Sequence, residues 1–175
     1  MNFQKYQREA KRTSASMGSD KLDLSHMVLG LHSEYNEFID AMFKGDDVNS
    51  KEELADMIWY VANYATFRNY SLETLVDRNL SSEYHTLPYY TSHLQDLVKK
   101  FVAYNKEINR KEEVEILKHI LLKIIILFRA DDDEEIFKAL QNNIDKLYVR
   151  FPDDGFSEER AINRDLQSER KELEK

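Results

Sequence analysis

Residues 29–60 read LGLHSEYNEFIDAMFKGDDVNSKEELADMIWY. Apolar residues recur at helical spacing on both sides of Gly45: Leu31, Phe38 and Met42 before it, Leu54, Ile58 and Trp59 after it. That is the period of an α-helix, not of a strand. Glu34 and Glu37 stand three apart on the first stretch, and Glu53 and Asp56 three apart on the second. Residues at i and i+3 share one helix face, so each helix carries a patch of two carboxylates. Gly45-Asp46-Asp47 closes the first helix, and Ser50-x-x-Glu53 has the form of a capping box opening the second. The spacing predicts an antiparallel hairpin with its two acidic patches facing each other.

Such a face has two readings. Acidic pairs on helices are commonly solvated surface. Here, however, Leu31, Phe38, Leu54, Ile58 and Trp59 share the neighbourhood of the acids, and a mixed acidic and apolar face suits neither water nor a core. Four carboxylates converging in a low-dielectric cleft cannot all stay ionised: they take up protons or a cation neutralises them. Hard oxygen donors without His or Cys select Mg²⁺ or Mn²⁺ over zinc. A carboxylate-bridged di-iron bundle would want Glu-x-x-His pairs; neither Glu34 nor Glu53 has a His three residues on.

Composition agrees with an all-α chain. Four Gly and two Pro among 175 residues, with 33% charged, leave too few turn formers for a sheet protein and fit a single helical domain. The absence of cysteine removes disulfide and thiolate chemistry. A net charge of −8 argues against a nucleic-acid polymer as partner, because a duplex binder needs a basic face. A small phosphorylated ligand would need a metal to carry positive charge into so acidic a field. The N-terminus, MNFQKYQREAKR, lacks the apolar centre of a signal peptide, and ILLKIIILF at 120–128 contains Lys123 and is half the length of a membrane span. These features predict a cytoplasmic protein without a membrane segment.

Beyond the hairpin, periodicity predicts helices over 2–17, 22–44, 50–68, 71–79, 91–107, 111–130 and 133–150, with a charged terminal helix from Ser157. Pro88 places a loop at 81–90, and Pro152 to Gly155 form a turn. Weak internal similarity suggests a degenerate duplication: Ser25-His26-Met27 recurs as Ser92-His93-Leu94, and Lys51-Glu-Glu53 as Lys111-Glu-Glu113. A second half of this kind would put Phe101 and Tyr104 on the wall opposite the acids. His26 reads as a satisfied core histidine, and Trp59 as packed inside.

The pair LGLHSEYNEFIDAMFK and KEELADMIWYVANYA resembles the MazG-like all-α nucleoside triphosphate pyrophosphohydrolases, whose mark is E-x-x-E followed by E-x-x-D. FQKYQREAKRT at 3–13 is similar to their first helix, and 143–174 to the closing segment of the short members. The departure is the insertion near 81–132; two related helical halves are also a feature of the dimeric dUTPases. The resemblance implies a MazG-like helical bundle, completed by the degenerate second half or by a partner subunit. Within one domain, residues 1–80 would be the metal-binding half, 81–150 the inserted half and 151–175 a C-terminal helix.

It further implies that Glu34, Glu37, Glu53 and Asp56 hold Mg²⁺, with Mn²⁺ as the substitute, and carry the catalysis. The (d)NTP would be cleaved between its α and β phosphates to (d)NMP and pyrophosphate, for nucleotide-pool cleaning or dNTP recycling. Lys44, Lys146 and Arg150 are the candidate phosphate contacts, and Tyr60, Asn63 and Asn79 the candidates for sugar or base. A homodimer is expected, with a tetramer as the alternative. Some members carry a glutamate directly before the first metal ligand, where this chain has Ser33. That departure motivates the alternative of a catalytically weak nucleotide- or alarmone-binding regulator on the same bundle.

Overall fold

The stretch Leu54–Ala65 is apolar on almost every face, and a helix of that kind needs neighbours all round. It forms the middle of α3 (Asp47–Phe67), in which Leu54, Ala55, Met57, Ile58, Val61, Ala62, Tyr64 and Ala65 are all buried. Around it the computed structural model, which describes residues 1–81, 85–152 and 156–175, arranges α1 (Phe3–Arg12), α2 (Asp20–Lys44), α4 (Leu72–Leu75), α5 (Leu87–Tyr104), α6 (Arg110–Leu127), α7 (Asp133–Arg150), α8 (Glu158–Ile162) and α9 (Leu166–Leu173). No strand occurs among the described residues. The fold is all-α, as the sequence predicts.

Helix α3 touches α1, α2, α4, α6 and α7, and α5 packs against both α2 and α6. Two successive hairpins, α2–α3 and α5–α6, therefore lie against one another. Helices α1 and α7 contact both α3 and each other, and α9 lies along α7. The core runs continuously from Phe3 and Tyr6 through Leu31, Leu54 and Ile58 to Leu117, Leu121 and Ile144.

The turn between α2 and α3 is tighter than the sequence suggests. Gly45 adopts the left-handed conformation (φ 69°), and the N–H groups of Gly45 and Asp46 return to Met42 O and Ala41 O. Only a residue without a Cβ takes that conformation freely. Asp46 then caps α3 directly, its Oδ1 accepting from Asn49 N at 3.1 Å. The predicted capping box at Ser50 is therefore not used. Ser50 sits inside the helix and donates its hydroxyl back to Asp46 O at 2.9 Å; Asp46 outcompetes it because its carboxylate is available one turn earlier.

Other boundaries also shift. Helix α1 stops at Arg12, and α4 is a single turn, before which Ser71 makes no side-chain cap. Pro88 does not break a helix but lies in the first turn of α5, where its missing N–H costs no hydrogen bond. The terminal segment divides at Asn163, and Asp165 caps a separate α9. The turn expected at 153–155 lies outside the described residues.

Close approach of α2 to α3 depends on Gly30. A Cβ at that position would lie 2.0 Å from the Tyr60 ring, so the glycine makes room for Tyr60 against α2. On the far side, α6 is fastened to α3 by Glu113, which is fully buried. It accepts from Tyr64 Oη at 2.6 Å, Arg68 Nε at 2.8 Å, Arg68 Nη2 at 2.9 Å and Tyr70 Oη at 2.5 Å.

Candidate metal centre and its cleft

The hairpin turn sets the register that brings the acids together. Carboxylate oxygens of Glu34 and Glu37 from α2 and of Glu53 from α3 all lie within 4.8 Å of one another. Glu53 is buried, Glu34 half-buried and Glu37 exposed, so the cluster opens outward from a covered floor. Burial is the main reason that Glu34 is pushed up to about 9, with the Asp56 charge and a hydrogen bond to Glu53 adding to it. Glu53 is pushed up to about 7, again chiefly by burial; the hydrogen bond from Glu34 works the other way. The pair shares protons, with Glu34 the donor and Glu53 the acceptor. Among the described residues, none of the three acids has a Lys or Arg in ion-pair contact.

Asp56 has a different environment. Asn143 Nδ2 donates to its Oδ1 at 2.6 Å, and Lys146 Nζ to its Oδ2 at 2.6 Å. Lys146 is 1% exposed and also donates to Glu52 Oε1 at 3.0 Å. Burial opposes the Lys146 charge, but Asp56 and Glu52 together raise its pKa above the ordinary value. The Tyr6 hydroxyl reaches Asn143 Oδ1 at 2.8 Å and Ala55 O at 3.0 Å, so the amide's orientation is fixed from α1. The four acids thus divide into an uncompensated trio and one carboxylate with a built-in counter-charge. Three convergent hard oxygens lacking a protein cation fit a divalent ion. The penalty of burial that raises the pKa values of Glu34 and Glu53 is relieved when a cation enters.

The trio opens into a cleft of about 710 Å³, whose other wall is the end of α7 together with α8 and α9. That wall carries Arg150, Arg164 and Arg170, and the inner end is lined by His26, Trp59 and Tyr60. The family model of the MazG nucleotide pyrophosphohydrolase domain matches residues 23–81. Residues 23–81 are MazG-like. The match covers about a third of the chain, includes Glu34, Glu37, Glu53 and Asp56, and ends before α5. It connects the hairpin with nucleotide pyrophosphohydrolase activity in general. No curated protein and no solved structure matches the chain.

Within this MazG-like frame the predicted contact residues separate. Lys44, Tyr60 and Arg150 line the cleft. Lys44 is exposed and ion-paired with Asp40. Tyr60 is edge-on to Trp59 (5.0 Å between centroids) and to His26 (5.9 Å). Lys146 is sequestered behind Asp56. Asn63 is buried, donating to Trp59 O at 3.0 Å, and Asn79 is exposed on the turn after α4; neither lines the cleft.

Three expectations are corrected. Phe101 and Tyr104 do not face the acids: Tyr104 is exposed, Lys21 lies over the Phe101 ring, and α7 to α9 provide the opposite wall instead. His26 is not a satisfied core histidine. It borders the cleft with a buried Nδ1 that has no hydrogen-bond partner, and its pKa is lowered by burial against the pull of Asp23. Trp59 is only partly buried; its Nε1 donates to Thr13 Oγ1 at 3.0 Å and its ring borders the cleft. Sequence reasoning missed Glu52, Arg164 and Glu169. For Arg164 and Glu169 the one available signal was the density of alternating charges in 157–175, a pattern that ordinary solvated helices share.

Proposed function

We propose that this protein is a Mg²⁺-dependent nucleoside triphosphate pyrophosphohydrolase that cleaves (d)NTP to (d)NMP and pyrophosphate. One observation carries the reading: three carboxylates from two helices converge without a counter-charge on one wall of a cleft whose other wall is cationic. Glu34, Glu37 and Glu53 hold the ion, with Mn²⁺ an acceptable substitute because the donors are all oxygen. When bound, a divalent ion there neutralises the trio, polarises a phosphoryl oxygen and lowers the pKa of a water. Asp56 completes the negative charge of the site while Lys146 and Asn143 hold it in place. Lys44 and Arg150 steer the phosphates, and Tyr60 borders the nucleoside. Asn63 and Asn79 carry no contact in this reading, since both stand outside the cleft.

The reaction needs little covalent chemistry from the protein, because alignment and charge neutralisation dominate phosphoryl transfer. The reading places the protein in the cytoplasm, acting on nucleotide pools as a homodimer. Exposed Leu22, Leu29 and Phe43, spaced by multiples of seven along α2, offer an apolar seam for a second copy. Purified chain with Mg²⁺ and a full (d)NTP panel should release pyrophosphate and a monophosphate, and Glu53→Gln should abolish the release. Orthophosphate alone, or no turnover, refutes the proposal. The alternative, a catalytically weak nucleotide or alarmone sensor, draws on Ser33, whose hydroxyl is turned back to Gly30 O at 2.9 Å. Calorimetric nucleotide binding without turnover would select it.

A further inference from the structure

The cationic wall of the cleft is built around a carboxylate. Glu169 of α9 is 2% exposed and accepts from two guanidinium groups. Arg150, the last residue of α7, donates Nε to Oε1 at 2.9 Å and Nη2 to Oε2 at 2.6 Å. Arg164, between α8 and α9, donates Nε and Nη2 to Oε2 at 3.2 and 2.8 Å. Burial of Glu169 alone would raise its pKa, but the two arginines hold it below the ordinary value. The charge at Arg164 in turn feels Asp56 and Glu52 across the cleft.

Two guanidiniums and one carboxylate leave a net charge of +1. A guanidinium has five N–H donors, and each arginine spends two on Glu169, so about six remain for another acceptor. A tie serving only to fasten α9 to α7 would not need two arginines, nor a position facing an acidic trio. The side chain of Arg164 is 39% exposed and that of Arg150 15%, so both retain a free edge.

The geometry points to Arg150 and Arg164, clamped by Glu169, as the seat for the end of a substrate polyphosphate farthest from the acidic trio. In that arrangement Glu169 is a positioning residue: it never touches the substrate, but it fixes the two forks that do. This deepens the pyrophosphohydrolase reading and rests on it for the identity of the substrate, though not for the chemistry of the ligand. The shared chemistry is an oligophosphate, which meets oxygen-bound divalent charge at one end and planar N–H donors at the other. The departing pyrophosphate would then lie on the arginines while the monophosphate stays with the trio. No bond to the protein forms or breaks.

Inorganic tripolyphosphate is the probe, titrated calorimetrically into the full-length chain in saturating Mg²⁺. Wild type binds it. Arg164→Ala should weaken binding by at least about tenfold, as expected for losing a charge-assisted contact. Glu169→Gln should weaken it less, and Glu169→Asp should recover most of the loss. Mg²⁺ affinity without phosphate should stay within about twofold in all three, because none contacts the trio. With nucleoside triphosphate, Arg164→Ala should raise KM far more than it lowers kcat. Fastening of α9 alone would move thermal stability and leave this split unchanged.

If Glu169→Gln does not fold, the half-exposed Arg164→Ala decides. Wild-type tripolyphosphate affinity and KM in Arg164→Ala overturn the clamp, and so does a wild type that binds no tripolyphosphate. If binding depends on Arg164 but no nucleotide is hydrolysed, the clamp stands and the pyrophosphohydrolase reading falls. If hydrolysis proceeds in Arg164→Ala with unchanged KM, the reverse holds.

Discussion

Metal binding at the acidic trio should be coupled to proton release. Without a cation, Glu34 titrates at about 9 and Glu53 at about 7, both raised mainly by burial. At pH 7 Glu34 therefore carries nearly one proton and Glu53 about half of one, roughly 1.5 protons between them. An oxygen ligand must be deprotonated to hold a divalent ion, so binding expels those protons. The count falls to about one at pH 8 and rises to about 1.9 at pH 6. Integrated over that interval, the apparent Mg²⁺ affinity should climb by at least about a hundredfold between pH 6 and pH 8. Normally titrating glutamates, near 4.3, would give almost no change over the same range.

Calorimetric titration of Mg²⁺ in buffers of differing ionisation enthalpy measures the proton count directly. The slope of observed enthalpy against buffer enthalpy should correspond to between about 1 and 2 protons at pH 7. A count below about 0.3, with an affinity independent of pH from 6 to 8, would mean that the trio is already ionised and solvated when empty. The reasoning from burial to proton retention, and from there to a metal centre, would then be wrong.

The same linkage fixes the sign of a stability effect. Glu34 and Glu53 ionise at higher pH folded than unfolded, so metal-free protein should lose stability as pH rises from about 5 to 9, and none further above that. Scanning calorimetry in chelator should show Tm falling over this range, a slope that saturating Mg²⁺ removes and that Glu34→Gln, a neutral mimic, reduces. Gly30→Ala should displace the Tyr60 ring, since the new Cβ would meet it at 2.0 Å. The gain of about 1 kcal/mol in helix propensity is then offset by a repacking cost of about 1–3 kcal/mol. Trp59, the single tryptophan and edge-on to Tyr60, should report the change as a shifted emission spectrum; an unchanged spectrum contradicts the packing. Glu113→Ala should cost about 3–5 kcal/mol by leaving Arg68 without its buried partner. Its Mg²⁺ affinity should match wild type, and a weakened affinity would mean that the two acidic centres are coupled.

The hairpin was legible because its information is local: helical periodicity, a glycine at the turn, and acids three apart on each side of it. The all-α class followed from composition for similar reasons. The different treatment of Asp56 was not legible. Its partners, Asn143 and Lys146, are 87 and 90 residues away in sequence, and only the packing of α7 on α3 brings them to it. From spacing alone, Asp56 is equivalent to Glu53. The cationic wall was hidden for another reason. Arg150 was named through the resemblance, but Arg164 and Glu169 lie in a charged segment with few apolar anchors, where periodicity cannot separate a solvated residue from a buried one. Glu169 is almost fully buried, yet nothing local distinguishes it from Glu172 or Glu174.

Within this chain, the triplet Lys-Glu-Glu contrasts a carboxylate neutralised by a protein cation with one that has none. It occurs at 51–53 in α3 and again at 111–113 in α6, and in both places the second glutamate is buried. Buried carboxylate needs compensation in either helix, since an uncompensated charge in the interior is strongly destabilising. At Glu113 the protein supplies it internally: Arg68 makes a two-point contact and Tyr64 and Tyr70 provide the remaining donors. That arrangement is closed, because every acceptor site is taken and the acidic cleft does not reach it. At Glu53 the carboxylate meets two more glutamates within 4.8 Å, and the space in front of them is a cleft. A fold selected for stability alone would have placed an arginine there, as α3 does for α6. Leaving Glu34 and Glu53 to share protons at the floor of a cleft costs stability in the empty protein. A divalent ion would remove that cost on binding, so the contrast with Glu113 supports the proposal that Glu53 is a ligand.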